Sequence, residues 1–328
     1  MRIVTWNVNS LKARIDRVEA WINAVGPDVL CLQETKMTDE AFPHERFTAL
    51  GYESAHHGEG RWNGVAVISR VGLTDVRPGF DDGRDDPDPD ARVIWATCAG
   101  VRVACCYVPN GREVGHDHYR YKLDWLGRLH DDLVANTDPA TQPVVVVGDF
   151  NVAPDDRDVW KPAALEGMTH VTAPERDALA RLVALGFTDV FRERFDAAGL
   201  HSWWDYRGGA FYKRMGMRID LVYASVPAAA ALEFVVVDRN ERKGEKPSDH
   251  APVVFHFGVK GKAAHGHQSI PKHICKDSEF PAHVHSLANL IDLLQLPAGQ
   301  QLLMLKECIS EAAKRVRDKN LTSHPGSG

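Results

Sequence analysis

Mainly antiparallel sheets covered by helices, an α+β arrangement, are what these 328 residues predict. Apolar runs of strand length outnumber helical repeats, and both hairpins and strand–helix–strand units occur among them. The composition, 44% hydrophobic and 26% charged, is that of a globular protein with a sizeable core and excludes a disordered or fibrous chain.

Residues 2–8 alternate apolar and polar side chains and open the chain as a strand. Ser10 suits a helix N-cap. Leu11, Ile15, Val18, Ile22 and Val25 then recur at helical spacing until Gly26-Pro27 stops the helix. Residues 29–32 form a short buried strand that runs into Gln33-Glu34-Thr35-Lys36, and 64–69 form the next strand. The segment 81–90, with six Asp and one Arg, reads as a solvated loop. Residues 92–98 and 101–108, joined by Ala99-Gly100, read as a hairpin. A helix is expected over 119–134, from Leu123, Leu126, Leu129 and Leu133. The apolar strand 144–147 runs into Gly148-Asp149-Phe150-Asn151, a helix covers 175–185, and strands follow near 218–224, 232–237 and 252–257.

Composition shifts after Phe257. Residues 258–282 are rich in Gly, Lys, His and Pro and read as a linker, followed by helical candidates at 284–296 and 299–317 separated by Pro297. The expected organisation is therefore a body over 1–258 and a linker with a short helical appendage over 259–328. His265, His267, His273, Cys275, His283 and His285 match no standard zinc-finger spacing. The tail is thus expected to dock on the body or on a protein partner. Its charge is +3 against −9 for residues 1–258. The acidic balance argues against strong non-specific nucleic-acid binding but is compatible with an enzyme whose carboxylates hold metal ions. No apolar run reaches the ~18–20 residues of a membrane span. The N-terminus lacks the apolar core of a signal peptide, so a cytoplasmic protein is expected. The six cysteines form no CxxC pair and are expected as free thiols, most of them in apolar runs.

Polar residues follow or precede apolar strands at four places. Asn7 ends the first strand, Glu34 follows the second, Asp149 and Asn151 follow 144–147, and Asp249-His250 precede the last. Oxygen ligands converging on one rim would suit a hard cation such as Mg²⁺.

The blocks WNVNSLKARI (6–15), LQETK (32–36), YVPNG (107–111), GDFNVAP (148–154), HSWWDYR (201–207), RIDLVYAS (218–225) and SDHAPV (248–253) resemble the exodeoxyribonuclease III family. These are the bacterial apurinic/apyrimidinic endonucleases of the endonuclease/exonuclease/phosphatase superfamily. GDFN and SDH are common to the superfamily, whereas LQETK, RID and WWDYR are specific to its DNA-repair branch. The resemblance spans 1–257 and implies a four-layer sandwich of two mostly antiparallel sheets flanked by helices. It also implies cleavage of the phosphodiester 5′ to an abasic site, removal of nucleotides or blocking groups from 3′ ends, and action as a monomer on double-stranded DNA. Mg²⁺, with Mn²⁺ as substitute, is the implied cofactor. Glu34 matches the main metal ligand, helped by Asn7 and Asp249, with Asp149, Asn151 and His250 also at the metal. Asp149 matches the water-orienting or general-base carboxylate, Asn151 an oxyanion donor on the same strand face, and Tyr107 the active-site tyrosine. His250 acts as a base or as a phosphate-binding imidazolium, with Asp220 orienting it.

Trp203, Met217 and Ile219 align with an apolar abasic-sugar pocket, and Trp204 stands beside them. Lys36, Arg112, Lys122 and Arg214 are candidate phosphate contacts. Two other classes compete. A superfamily phosphatase or phosphodiesterase acting on inositol phosphates or phospholipids would share GDFN and SDH but not WWDYR. A catalytically dead DNA-binding module would lack one of Glu34, Asp149, Asn151 or His250, and all are present. Truncation after Gly258 is expected to leave a folded enzyme with intact cleavage of abasic DNA. Initial rates of full-length and truncated protein at matched salt check this; a folded truncation that loses single-turnover chemistry would contradict it.

Overall fold

The structure, a computed structural model, describes residues 1–258. Two six-stranded sheets and a two-stranded ribbon carry the fold. The strands are β1 Arg2–Asn7, β2 Val29–Gln33, β3 Glu53–His57, β4 Val65–Ser69, β5 Thr74–Pro78, β6 Val93–Cys98, β7 Val101–Tyr107, β8 Val144–Asp149, β9 Thr188–Asp189, β10 Trp203–Trp204, β11 Gly216–Met217, β12 Asp220–Ala224, β13 Leu232–Val237 and β14 Val253–Phe257. The first sheet runs β13-β14-β1-β2-β4-β3 and the second β5-β6-β7-β8-β12-β9, with β10-β11 apart.

Each sheet has one parallel pair, at its centre. β1 and β2 are parallel with Asn7 opposite Gln33, and β7 and β8 are parallel with Tyr107 opposite Asp149. The other pairings of both sheets are antiparallel. A parallel pair delivers both C-terminal ends to the same rim. The neighbours β14 and β12 run the other way and therefore start at that rim.

The central strands read as continuous apolar runs because both their faces are buried. Ala104, Cys106, Val144 and Val146 pack under the helices α3 (Asp117–Asn136) and α5 (Ala173–Ala184), with Leu126, Leu129, Leu133, Leu179 and Leu182. Towards the other sheet, Cys105 Sγ donates to the Leu32 carbonyl at 3.3 Å and accepts from Gln33 Nε2 at 3.2 Å. Helix α1 (Leu11–Val25) buries Leu11, Val18, Trp21, Ile22 and Val25.

Helix α1 ends as expected, with Gly26 in the left-handed conformation donating to the Ile22 carbonyl at 2.8 Å. Its start is a correction: the Ser10 side chain makes no cap. Instead the Ser10 and Leu11 N–H groups donate to the carbonyls of Glu34 and Thr35 at 2.7 and 3.1 Å. The acidic segment is also corrected. It is irregular, but Asp82 pairs with Arg128 at 2.7 Å, and Asp88 accepts from Tyr121 and Trp125 at 2.6 and 2.8 Å, so it lies along α3. β3 and β5 escape sequence reading because they are polar edge strands, ESAHH and TDVRP, with no apolar alternation. Cys31, Cys98, Cys105 and Cys106 are buried free thiols. The linker, the helical appendage and the remaining cysteines lie outside the described residues.

Arg218, of the RID block, is an anchor beneath the site. It pairs with Asp158 at 2.6 Å and with Asp189 at 2.7 Å, and Arg192 also reaches Asp158. Asp158 is wholly buried. Burial favours its neutral form, but Arg218 and Arg192 outweigh that and hold its pKa below the usual carboxylate range. Its contribution to stability is therefore present above the unfolded value of about 3.9 and lost as pH falls through the depressed folded value. Asp158→Asn, which removes the charge shared by the buried Arg218 and the part-buried Arg192 while leaving Arg218 its pair with Asp189, is expected to cost about 1.5–3 kcal/mol near neutral pH. Urea unfolding at pH 7 and pH 3 checks both magnitude and sign: the gap between wild type and variant should narrow in acid.

Candidate active site

The rim shared by β1, β2, β7 and β8 collects the polar strand ends. β1 contributes Asn7 as its last residue, β7 Tyr107 and β8 Asp149, while Glu34 follows β2 directly. Asp220 opens β12 in register with Asp149. His250 precedes β14, and its backbone bridges to Trp203.

Two local distortions aim these groups. Gly148, at φ 147°, lies so close to β7 that an added Cβ would sit 1.8 Å from the Cys106 carbonyl oxygen. Only glycine fits there, which explains the G of GDFN. Glu34 adopts φ 54° and Asn151 φ 50°, left-handed conformations costly for residues with a Cβ. The expectation that Asn151 shares a strand face with Asp149 is therefore corrected. β8 stops at Asp149, and a turn, closed by the Asn151 N–H donating to Asp149 Oδ1 at 2.9 Å, brings Asn151 back.

Asn7 Nδ2 bridges two carboxylates, donating to Glu34 Oε1 at 2.8 Å and to Asp149 Oδ2 at 2.9 Å. Asn151 Nδ2 donates to Asp149 Oδ2 at 3.3 Å and to the Val108 carbonyl at 3.0 Å. His250 Nδ1 meets both Asp220 oxygens at 2.9 and 3.0 Å, and its Nε2 lies 3.6 Å from Asp149 Oδ2. Burial disfavours the charged ring, yet Asp220 and Asp149 push His250 up to about 10, so it is an imidazolium at neutral pH. Burial pushes Asp149 up to about 7, with Asp220 and Glu34 adding to it and His250 opposing. Burial also raises the Tyr107 phenol well above its ordinary value, reinforced by Glu34. The Arg92 guanidinium stacks over the Tyr107 ring, 4.8 Å from its centroid.

Glu34, Asp149 and His250 present ligand atoms within 4.8 Å of one another, a possible acidic/His metal site. The carboxylates of Glu34 and Asp149 are oxygen donors that fit a hard divalent cation, and the Asn7 amide stands between them. Asp249 is not in that cluster. Its oxygens accept from Asn9 Nδ2 at 3.0 Å and Trp203 Nε1 at 3.1 Å. His250 stands in the cluster with its Nδ1 on Asp220 and its Nε2 3.6 Å from Asp149 Oδ2.

Trp203, half-buried, pairs with Met217 in the ribbon and packs on a small cluster of Met217, Ile219, Ala153 and Val159. Its ring centroid is 6.5 Å from that of His250, so this apolar cluster adjoins the site. Lys36 Nζ pairs with Glu34 at 2.8 Å and donates to Asn9 Oδ1 at 2.6 Å. Arg112 and Arg214 are exposed. Two expectations fail. Trp204 is 1% exposed and packs edge-on against Phe211, so it is core and cannot touch DNA. Lys122 is 0% exposed and paired with Glu175, so it cannot reach a phosphate. Two residues went unnoticed: Asn9, which holds Lys36 and Asp249, and Asn110, whose Nδ2 donates to Asn151 Oδ1 at 3.1 Å. Both stand inside the quoted blocks, as the second Asn of WNVNS and the Asn of YVPNG.

Comparison with known proteins agrees with this geometry. Residues 4–250 match the Endonuclease/Exonuclease/phosphatase family. The chain is 33% identical to exodeoxyribonuclease III of Haemophilus influenzae, over 78% of this chain and 100% of that one. It is also similar to two solved structures: the 3′ phosphatase NExo from Neisseria bound to a product DNA hairpin (TM-score 0.75, 37% identity) and an AP endonuclease from Archaeoglobus fulgidus (TM-score 0.76, 36% identity). Each alignment covers 79% of this chain and 100% of the other.

Proposed function

Because the chain belongs to the Endonuclease/Exonuclease/phosphatase family and is a DNA-repair nuclease, we propose that it hydrolyses the phosphodiester 5′ to abasic sites and trims 3′ ends of duplex DNA. The observation that carries this reading is the convergence of Glu34, Asp149 and His250 on one rim, and we read the apolar cluster of Trp203, Met217 and Ile219 beside it as the wall of a sugar slot. A flipped deoxyribose without a base is small and largely apolar, and such a slot excludes a normal nucleotide.

Each role follows from chemistry. Asp149, with its carboxyl near neutrality, accepts the proton of the attacking water. His250, held by Asp220, presents Nε2–H to a non-bridging phosphate oxygen, and Asn151 Nδ2 exchanges its long bond to Asp149 for one to the developing oxyanion. Tyr107, kept as a neutral phenol, donates to the phosphate or to the departing 3′-oxygen. Glu34, Asn7 and Asp149 would hold Mg²⁺, with Asp249 steadying Trp203 and Asn9 at its edge. When bound, that cation neutralises transition-state charge and assists the leaving alkoxide. Lys36, Arg112 and Arg214 would contact DNA phosphates without reading sequence.

His250→Asn, which keeps a donor but loses the positive charge, is expected to lower kcat ~10²-fold, measured by single-turnover cleavage. The reading as a whole is tested with a substrate panel of abasic duplex, recessed 3′ ends, 3′-phosphate ends and an inositol phosphate. Turnover of the DNA substrates alone is expected. Preferential release of phosphate from the inositol compound would overturn it.

A further inference from the structure

Lys122 and Glu175 form an ion pair sealed from water, with both residues 0% exposed and Nζ 2.5 Å from Oε1. Burying two charges is costly, and an apolar pair would fill the same space between helices at less cost. What the charges add is a set of directed hydrogen bonds. Lys122 Nζ donates to the Asn151 carbonyl at 2.6 Å, to the Asn110 carbonyl at 3.3 Å and to Thr169 Oγ1 at 3.3 Å.

Those two carbonyls belong to the two amide residues that meet beside Asp149. One ammonium thus ties the loop after β7 to the loop after β8. Asn151 sits at φ 50°, in the left-handed region, and Lys122 Nζ grips its carbonyl there. His170 Nδ1 lies 2.5 Å from the same oxygen.

Glu175 is fixed in turn. Its Oε1 accepts from Thr169 Oγ1 and the His170 N–H, both at 2.9 Å, and its Oε2 from the Thr172 N–H and Oγ1 at 3.0 and 2.7 Å. It is also the third residue of the capping box that starts α5. At Gly111, φ 88°, an added Cβ would lie 2.7 Å from Thr169 Oγ1 and 3.1 Å from Lys122 Cδ, so the Asn110 loop passes closely over the pair.

We propose that Lys122 and Glu175 are positioning residues for phosphodiester cleavage, holding the Asn110 and Asn151 carbonyls so that the Asn151 amide stays aimed at the reacting phosphate. This inference rests on reading the rim as a phosphodiester-cleaving site. The chain of control runs from the capped start of α5, through Glu175 and Lys122, to Asn151.

Lys122→Met/Glu175→Gln tests it, since removing both charges together leaves none unpaired. On abasic duplex DNA kcat is expected to fall ~10–100-fold, with KM changed by less than about threefold. In an Asn151→Ala background the same two substitutions are expected to cost less than about threefold more, because the pair acts through Asn151. A wild-type kcat in the folded double variant, or losses that simply multiply, would overturn the proposal. If that variant does not fold, Lys122→Gln/Glu175→Gln carries the same cycle, its amide nitrogen ending one bond short of the lysine's. A crystal structure of the folded variant gives a readout free of substrate. Asn151 is expected to leave its left-handed conformation, and an unchanged Asn151 would overturn the positioning role whatever the enzyme cuts. Wild-type enzyme inert on every DNA substrate would instead be a failure of the site reading.

Discussion

Excess chelator is expected to abolish cleavage of abasic duplex DNA, and Mg²⁺ or Mn²⁺ to restore it. The reason lies in the donor set. Glu34 and Asp149 place carboxylate oxygens beside the Asn7 amide, which already bridges both of them. Rotating that amide by half a turn would present its oxygen in the same place. Soft donors are elsewhere: Cys31, Cys98, Cys105 and Cys106 are buried in the sheets. Hard oxygen ligands of this kind select Mg²⁺ or Mn²⁺ over thiophilic metals. Without a cation, two carboxylates face a phosphodiester that is itself an anion, and His250 and Lys36 offset them in part. Initial rates against free metal concentration check the expectation, and full activity in excess chelator would contradict it. Thermal unfolding provides a second readout, because a cation that binds only the folded chain at a hundredfold excess over Kd adds about 2.7 kcal/mol.

Asp149→Asn is expected to lower kcat by ~10²–10⁴-fold while leaving the fold intact. The substitution is isosteric, so packing at the end of β8 is kept. It removes a buried carboxylate whose proton affinity, raised to about 7 by burial, suits accepting a proton from water near neutral pH. His250 does not replace it, because Asp220 alone, 2.9 Å away, still holds the ring as a cation. Asn7 loses one of its two carboxylate partners, so affinity for the cation should fall as well. Single-turnover rates at saturating metal separate the two effects. A near-normal rate at saturating metal would mean that another group takes the proton.

These strand ends were legible because a carboxylate or amide that ends an apolar run stands out, even where, as at Asn7 and Asp149, the side chain is itself buried. Asn7, Glu34 and Asp149 were found that way, and the helix over α1 by its stripe. Periodicity reports burial only when the buried group is apolar. Lys122 on α3 therefore looked like a surface charge, although Glu175 neutralises it from 53 positions along the chain. Asp82 and Asp88 looked solvated for the same reason, their partners Arg128, Tyr121 and Trp125 lying on α3. Trp203 and Trp204 are adjacent and alike in sequence. Only the ribbon of β10 and β11, two residues to a strand and too short for any pattern, sends one to the slot and the other to the core. The turn at Asn151 was hidden too, since a left-handed asparagine has no signature beyond its type.

We propose that the converging ends of β1, β2, β7 and β8 form one site that cuts the phosphodiester 5′ to an abasic residue. Its most direct test is single-turnover cleavage of an end-labelled duplex bearing one synthetic abasic site, with Mg²⁺, resolved to single-nucleotide length and assayed for end chemistry. One cut is expected immediately 5′ to the abasic site, leaving a 3′-hydroxyl that a polymerase extends and a 5′ sugar phosphate. An intact strand, or a cut on the 3′ side, would contradict it.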